Sequence, residues 1–281
     1  MRKKIFSIVL GTALLVAALS GCGTSMQTAS TSAGGESSAA ENNDGDLLSQ
    51  IKQRGEIRIA TEGTWSPWTY HDENDQLVGF DIEVAQAIAE KLGVKATFVE
   101  GEWDGLLAGL ESGRYDIMAN GVEITDERSE KYDFSEPYGY IRTAIIVQGN
   151  NDSIGSFKDL KGKTTANTLA STYAALAESY GANTTGVDDL NQTLELLLAG
   201  RVDATLNAEV TFYDYMKSHP NANLKIAALT EDASQVAIPM PKGKNSDSLR
   251  KAINAAIDEL RKDGTLSEIS VKYFGKDITA Q

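Results

Sequence analysis

The feature that most constrains the fold is a repeated alternation of short β-branched runs with segments of helical periodicity. The first run, Ile57–Thr61, is followed by a segment whose apolar residues recur every three or four positions. That segment begins after Asp81, a residue type that caps helices, and stops at Gly93, which favours the left-handed conformation that ends them. Strands that alternate with helices in this way form α/β folds, in which we expect mostly parallel sheets.

The alternation continues through the chain in two sets, which favours two lobes. In the first set we predict strands Ala96–Val99 and Asp116–Ala119, and helices that start near Trp103 and Thr125. In the second set we predict strands Thr143–Val147, Thr164–Ala166 and Asp203–Leu206, helices Thr172–Tyr180 and Leu190–Leu198, and a helix with Tyr213 and Tyr215. The chain closes with predicted strand Val236–Met240 and predicted helices Ser246–Lys262 and Leu266–Tyr273. Ligands of such folds bind at the carboxyl ends of strands.

The N-terminus has the pattern of a processed leader. Three basic residues at positions 2–4 precede the apolar run Ile5–Leu19, which is shorter than the ~20 residues that a transmembrane helix needs. The run ends in Leu19-Ser20-Gly21-Cys22, which resembles the bacterial lipobox. We therefore predict a leader over residues 1–21 and a lipid anchor on Cys22; an ordinary signal peptide with a chance cysteine is the alternative.

Cys22 is the only cysteine of the 281 residues. The folded part therefore has no disulfide, no thiolate metal site and no cysteine nucleophile, and its stability must come from packing. Residues 23–46 are rich in Ser, Thr, Ala, Gly and Asn and show no apolar periodicity. Such a segment cannot bury enough apolar surface to offset its ordering entropy, so we interpret residues 22–46 as a lipidated tether.

The chain carries a formal net charge of −14, and loss of the leader would make it more acidic. Acidic chains repel the phosphates of nucleic acids and of anionic lipid headgroups. We therefore expect no nucleic acid among the partners, and attachment to the membrane only through the lipid on Cys22. A well-solvated acidic surface accounts for this charge, which does not identify a ligand.

A series of short motifs follows from about Ile57 to Thr279. They are Leu77-Val78-Gly79-Phe80-Asp81-Ile82, Trp103-Asp104-Gly105-Leu106, Gly113-Arg114-Tyr115-Asp116-Ile117, Ile124-Thr125-Asp126-Glu127-Arg128, Tyr132-Asp133-Phe134-Ser135-Glu136-Pro137-Tyr138, Asp159-Leu160-Lys161-Gly162-Lys163, Gly200-Arg201-Val202-Asp203-Ala204, Lys262-Asp263-Gly264-Thr265-Leu266 and Tyr273-Phe274-Gly275. Each is weak alone. In this order and spacing they resemble the polar amino acid binding proteins of bacterial ABC importers, solute-binding family 3.

The resemblance implies a two-lobe clamshell of the periplasmic-binding-protein type II, in which the chain crosses between lobes twice. The crossings would lie near Tyr138–Tyr140 and Gln235–Ala237, with lobe 1 formed by residues 47–139 and 236–281 and lobe 2 by residues 140–235. The helices of Ser246–Phe274 would pack on lobe 1. Periplasmic binding proteins are a standard example of hinge closure around a ligand.

The resemblance also implies the partners. A protein of this kind works outside the cytoplasm, held at the membrane by its lipid, and delivers a free amino acid to the permease and ATPase subunits of an importer. It needs no cofactor and no metal ion, and the family expectation is a monomer. The end of the chain, through Phe274-Gly275-Lys276-Asp277-Ile278-Thr279, resembles the cystine-binding branch, so we expect cystine or cysteine as the ligand.

Arg128 is the residue that we expect to bind the ligand carboxylate, because a guanidinium offers two parallel donors that match its two oxygens. Outside its motif it would be interpreted as a solvated arginine in the first turn of a helix. Family positions add Asn120 and Gly121, whose backbone can approach a ligand closely because glycine has no Cβ. From lobe 2 they add Thr168, Ser171 and Thr172, at a helix start that favours an anion.

Large side chains complete the expected site. Trp65 and Trp103 occupy positions where the family sandwiches its ligand, and a flat ring holds an aliphatic or sulfur-containing side chain without hydrogen bonds. Packing in the core is the alternative for both, and for Trp68 it is the prediction. Glu62, at the carboxyl end of the first predicted strand, is a further candidate.

One position departs from the family pattern. Family members carry an aspartate after the Arg-Val-Asp-Ala motif that pairs with the ligand ammonium, and this chain has Ala208 there. On the opposite lobe, where Ser or Thr is usual, it has Glu123. We hypothesise that Glu123 supplies the missing carboxylate; a shift by one residue that allows Glu209 to serve is the alternative.

Two other functions remain open from the sequence. A few dehydratases share the clamshell, and Glu62 and Glu123 could act as acid and base if their pKa values were far apart. Against this, His71 and His219 lie outside the family's site positions and no phosphate loop or metal-ligand motif occurs. The third possibility is an accessory ligand sensor that signals through a separate partner.

Overall fold

The computed structural model describes residues 46–280. Its helices are α1 (Leu47–Arg54), α2 (Phe80–Leu92), α3 (Trp103–Glu111), α4 (Asp126–Lys131), α5 (Thr172–Ser179), α6 (Leu190–Leu198), α7 (Glu209–Ser218), α8 (Asp247–Lys262) and α9 (Thr265–Phe274). Its strands are β1 (Glu56–Thr61), β2 (Thr64–Trp65), β3 (Thr69–His71), β4 (Leu77–Val78), β5 (Lys95–Glu100), β6 (Ile117–Met118), β7 (Tyr132–Phe134), β8 (Gly139–Ile141), β9 (Thr143–Gln148), β10 (Thr164–Thr168), β11 (Asn183–Val187), β12 (Thr205–Ala208), β13 (Leu224–Leu229), β14 (Ser234–Val236) and β15 (Pro239–Pro241).

The features predicted for the N-terminus lie outside this range. The predicted leader over residues 1–21, the lipid site Cys22 and the tether up to residue 45 all lie outside the described residues. Within residues 46–280, no helix is both long and apolar enough to cross a membrane.

The N-terminal sheet consists of β1 between β5 and β6, all parallel, as the alternating pattern predicts. Ile57 and Ile59 of β1 are buried because helices cover the sheet. Helix α2 packs against β5, α8 and α9, and the last two helices therefore join the part of the chain that precedes residue 139. The carboxyl end of β1 leads directly to Glu62.

The central sheet has the order β12-β9-β13, and both of its pairings are antiparallel. The separate pair β10-β11 is parallel. The prediction of mostly parallel sheets is therefore wrong for the second set of elements. Five of the six residues of β9, Thr143–Val147, are buried. A strand that is buried on both faces has a continuous apolar sequence, whether its neighbouring strands are parallel or antiparallel to it.

The two predicted crossings lie side by side. Strand β8 pairs antiparallel with β14, so that Ile141 faces Ser234 and Gly139 faces Val236. The strand predicted over Val236–Met240 is divided into β14 and β15, because Pro239 starts a new pairing with β7. A bridge between the backbones of Glu123 and Val236 attaches Glu123 to this crossing pair.

The start of α2 differs from the prediction. Gly79, not Asp81, is the N-cap, and its φ of 137° lies in a region that essentially only glycine adopts. A Cβ on Gly79 would lie 2.2 Å from the carbonyl oxygen of Trp68, so the backbones here touch directly. Asp81 lies inside the first turn, fully buried, where its carboxylate accepts hydrogen bonds from the Gly121 N–H and, at 2.7 Å, from the Tyr138 hydroxyl.

The core beneath the carboxyl ends of the N-terminal sheet is aromatic. Trp68 is fully buried, with its ring centroid 4.9 Å from that of Phe274 and 5.6 Å from that of Phe80. Trp65 stacks on Trp68 from the other side, at 5.3 Å between centroids and 19° between planes. The packing role predicted for Trp68 is confirmed. Its buried ring supports the ring of Trp65, which stacks on it.

Candidate functional site

One cavity collects most of the predicted site residues. It encloses about 560 Å³, open in part to solvent, and lies where the carboxyl ends of β1 and β10 meet the starts of α3 and α5. The predicted residues that line it are Glu62, Trp65, Trp103, Gly121, Glu123, Arg128, Thr168, Ser171 and Thr172. They come from both sets of elements, so the cavity lies between the two predicted lobes.

Arg128 is a buried cation, with 8% of its surface exposed. Its backbone N–H is capped by the Thr125 hydroxyl oxygen at 3.1 Å, which fixes the first turn of α4. Its guanidinium donates to the carbonyl oxygens of Glu123 at 3.0 Å and Ala170 at 3.5 Å, and lies 5.2 Å from the ring centroid of Trp103. Within the described residues it forms no ion pair with an Asp or Glu side chain.

Burial lowers the pKa of Arg128, although the nearby negative charge of Glu123 opposes this by favouring the cation. An arginine nevertheless stays protonated, because its usual pKa lies far above physiological pH. The carbonyl oxygens and the Trp103 ring hold the cation, but they do not neutralise it. The guanidinium therefore keeps a positive charge at the wall of the cavity.

Glu123 places a buried carboxylate in the same cavity. It is 5% exposed, and its Oε1 accepts a hydrogen bond of 2.8 Å from the Thr172 hydroxyl at the start of α5. Among the described residues it forms no ion pair either. The hydroxyl of Tyr173 is close enough for the negative charge of Glu123 to add to the effect of burial, and together they raise the pKa of Tyr173 well above its usual value.

The walls of the cavity are flat aromatic rings. A Cβ on Gly121, whose φ is 56°, would lie 2.6 Å from the Trp65 ring, so glycine is required for the indole to cover this backbone. The edge of Trp65 meets Tyr173, with 6.4 Å between centroids and 71° between planes. The indole nitrogens of Trp65 and Trp103 are both buried without a hydrogen-bond partner among residues 46–280.

Glu62 lines the cavity and Asn120 supports it from behind. The Asn120 amide donates to Glu62 Oε2 at 2.5 Å and accepts from the Glu62 backbone N–H at 2.7 Å. Burial raises the pKa of Glu62 to about 7, although the bond from Asn120 opposes this by favouring the charged form. Asn120 itself is fully buried and does not line the cavity; it supports Glu62, and its predicted contact with the ligand stays a prediction.

Glu209 also differs from its prediction, because it does not line the cavity. Its carboxylate accepts hydrogen bonds from Lys276 at 2.6 Å and from Arg142 at 2.9 Å. Burial alone would raise the pKa of Glu209, but these two cations outweigh it and the pKa lies below its usual value. The carboxylate is thus already neutralised by the protein, and the alternative in which Glu209 binds the ligand ammonium is not supported.

Six further residues that the sequence reasoning missed line the cavity. They are Thr64, Asn167, Tyr173, Leu190, Thr193 and Asn207. Tyr173 directly follows Ser171 and Thr172, and Thr64 precedes Trp65, so proximity to predicted residues could have indicated both. Asn167 and Asn207 come from β10 and β12, and only the lateral packing of these strands brings their side chains together.

Direct contacts hold the two sides of the cavity close together. The Ser66 hydroxyl donates to Asp214 at 2.8 Å, and the Trp68 indole N–H donates to the Thr211 hydroxyl oxygen at 3.2 Å. The pairs Glu123–Thr172 and Arg128–Ala170 span the same gap. Each contact joins a residue before the first crossing to one after it, so the structure is in a closed form.

Comparison with known proteins gives a consistent result. A model of the bacterial extracellular solute-binding proteins, family 3, matches residues 57–276. The L-cystine-binding protein TcyA of Bacillus subtilis (strain 168) is 39% identical over 281 residues, covering 99% of this chain and 100% of the relative.

Two solved structures help to interpret the conformation. An ancestral arginine-binding protein bound to arginine is 40% identical and superposes with a TM-score of 0.74, covering 79% of this chain and 99% of the other. The unliganded, open L-cystine solute receptor of Neisseria gonorrhoeae is 41% identical, with a TM-score of 0.58 over 84% of this chain and 100% of the other. At almost equal identity, the chain resembles the ligand-bound form more, which agrees with the closed cavity.

We predict that Glu62 titrates near pH 7 in the closed conformation described here, because its carboxyl loses water on burial. The measurement is a pH titration of the glutamate side-chain carbonyl carbons by NMR, with Glu62→Gln to assign the signal. In Asn120→Ala the midpoint should move higher still, because the donor to the charged form is gone. A midpoint near 4.5 in the unsubstituted protein would contradict this description of the site.

Proposed function

The chain belongs to the bacterial extracellular solute-binding proteins of family 3, and from that premise we propose that it captures a free α-amino acid between Arg128 and Glu123. As a member of this family it is an extracytoplasmic binding protein. The observation that carries the proposal is the pair of buried, opposite charges that line one cavity without forming an ion pair with any described residue. An α-amino acid is a zwitterion whose charges complement both.

The energetics favour this assignment. A buried charge without a partner costs several kcal/mol, and a bidentate carboxylate on a guanidinium is among the strongest compensations available. In the proposed complex the ligand carboxylate binds Arg128 and its ammonium donates to Glu123, whose position Thr172 fixes. The N-terminus of α5, with Ser171 and Thr172, adds donors that favour the carboxylate.

Hinge closure is the proposed binding motion. Residues 47–139 with 236–281 form one lobe and residues 140–235 the other, and the β8–β14 pair connects them. Arg128, Glu123, Trp65, Trp103 and Glu62 belong to the first lobe. Opening would separate them from Thr168, Ser171 and Thr172, and closure would place the ligand side chain between aromatic rings.

Cystine is the ligand that these observations favour. A relative that aligns over the entire chain is named as an L-cystine-binding protein, and flat indole walls suit a polarisable sulfur side chain. The protein would then deliver cystine, as a monomer, to the permease and ATPase subunits of an importer. It would act by binding alone, so the ligand should be recovered chemically unchanged.

The ligand is tested first by thermal unfolding of the protein with each free amino acid and with cystine, followed by calorimetry. A ligand that binds only the folded state, present at 100 times its dissociation constant, stabilises that state by ~2.7 kcal/mol. We expect cystine to raise the melting temperature and to be recovered intact by mass spectrometry. A different amino acid would keep the binding function and reject cystine, whereas no shift with any amino acid, or a converted product, would contradict the proposal.

The ammonium partner is tested by Glu123→Gln with Glu209→Gln as the matched control. Glutamine at position 123 can still accept from Thr172 but loses the charge, so affinity for the amino acid should fall by about tenfold or more. Glu209→Gln should change affinity by less than about threefold, because Arg142 and Lys276 are partly exposed and can be hydrated. The reverse pattern would show that Glu209 is the anchor.

The lipid anchor on Cys22 is tested in cells with Cys22→Ser. The motif Leu19-Ser20-Gly21-Cys22 predicts that the unsubstituted protein fractionates with the membrane, because its N-terminal cysteine carries acyl chains. The variant should lose incorporation of labelled fatty acid and leave the membrane fraction. An acylated or membrane-bound variant would show that another feature holds the protein there.

A further inference from the structure

Two asparagines on the second-lobe side of the cavity have polar atoms that the protein does not use. Asn167 is 3% exposed and lines the cavity. Its Nδ2 donates to the Leu206 carbonyl oxygen at 2.7 Å and to the Thr205 hydroxyl oxygen at 3.3 Å. A carbonyl oxygen can only accept, so the atom that faces Leu206 must be the nitrogen, and this fixes the orientation of the amide. The remaining atom, Oδ1, is a buried acceptor without a partner among the residues that the structure describes.

The amide of Asn207 has the opposite orientation, with its oxygen bonded to the backbone. It is 7% exposed and also lines the cavity. Its Oδ1 accepts a hydrogen bond of 2.9 Å from the Ala208 backbone N–H. An N–H can only donate, so the oxygen must face Ala208, and the Nδ2 group is left to face elsewhere. No hydrogen bond from that amide nitrogen is formed within the part of the chain that the structure describes.

The two amides are neighbours. Strands β10 and β12 lie side by side, connected by the bridge between Thr165 and Ala204 and by the bond from Asn167 to Leu206, the residue before Asn207. Both residues line one cavity, Asn167 with an unused acceptor and Asn207 with an unused donor among the described residues. Tyr173 lines the same cavity, and its buried hydroxyl lies near Glu123.

We infer that Asn167 and Asn207 bind the second amino-acid head group of a two-headed ligand such as cystine. This inference rests on the proposed function, in which Arg128 and Glu123 hold the first head group. The acceptor Oδ1 of Asn167 receives the second ammonium, and the donor Nδ2 of Asn207 binds the second carboxylate. The pair thus determines which amino acids the cavity prefers rather than whether it binds amino acids.

The selectivity follows from the cost of an unused polar group. A buried acceptor without a donor costs about 1–3 kcal/mol, and a site that is built to bond a polar ligand group rejects an analogue that lacks it. A single-headed ligand of similar chemistry, such as S-methylcysteine, leaves Asn167 and Asn207 without partners. Cystine satisfies both.

The test is calorimetric titration of cystine and of S-methylcysteine into the protein and its variants. Asn207→Asp keeps the oxygen that accepts from Ala208 but replaces the ligand-facing donor by a carboxylate oxygen. We expect cystine affinity to fall by about tenfold or more and S-methylcysteine affinity to change by less than about twofold. Asn191→Asp, an exposed position on α6 outside this cavity, controls for the added charge and should change neither.

A second variant covers the case in which Asn207→Asp does not fold. Asn167→Ala removes the acceptor, and it should likewise weaken cystine more than S-methylcysteine. Equal losses for both ligands, or no loss of cystine affinity, would overturn the inference while amino acid binding stands. The same holds if the unsubstituted protein prefers single-headed amino acids. Failure of the proposed function itself would look different, since no amino acid would then bind to the unsubstituted protein.

Discussion

A single buried cation organises the site. Arg128 lies on a helix of six residues whose first turn depends on the Thr125 cap, and its guanidinium donates to backbone carbonyls on both sides of the cavity. One of these belongs to Ala170, a non-glycine residue at φ 57°, in the sparsely populated left-handed region. Strained backbone is typical of functional sites, and here it accompanies a carbonyl that approaches the cation. Carbonyls and an indole ring partly compensate the charge and leave the remainder to a ligand.

In the proposed complex, the distribution of carboxylates decides which side chain receives the ligand ammonium. Glu209 has two cationic partners and is therefore neutralised by the protein, whereas Glu123 accepts from the Thr172 hydroxyl, forms no ion pair with any described residue and lines the cavity. Ala208 supplies no charge at the position where the family resemblance implies an aspartate. A carboxylate that moves from one side of a cleft to the other can hold the same ammonium, because closure brings both sides within reach of the ligand.

The sequence predicts much of this arrangement where the signal is local. The helix start at Thr125, the stop at Gly93 and the helix Leu190–Leu198 are confirmed, because capping residues and helical periodicity act over a few residues. The sequence of β9 does not predict whether its neighbouring strands are parallel or antiparallel, since a strand buried on both faces has the same apolar pattern in both arrangements. Asp81 shows the limit of residue type: a good capping residue is used instead as a buried acceptor for Gly121 and Tyr138. Asn167 and Asn207 depend on contacts between strands almost 40 residues apart, for which neither segment carries a local signal.

The most direct measurement of the central claim is a crystal structure of the protein with its amino acid bound. The account predicts that the two carboxylate oxygens of one head group lie within about 3 Å of the Arg128 guanidinium nitrogens and that the adjacent ammonium contacts Glu123. A complex in which Arg128 keeps only its bonds to the Glu123 and Ala170 carbonyl oxygens, while another residue holds the carboxylate, would contradict it.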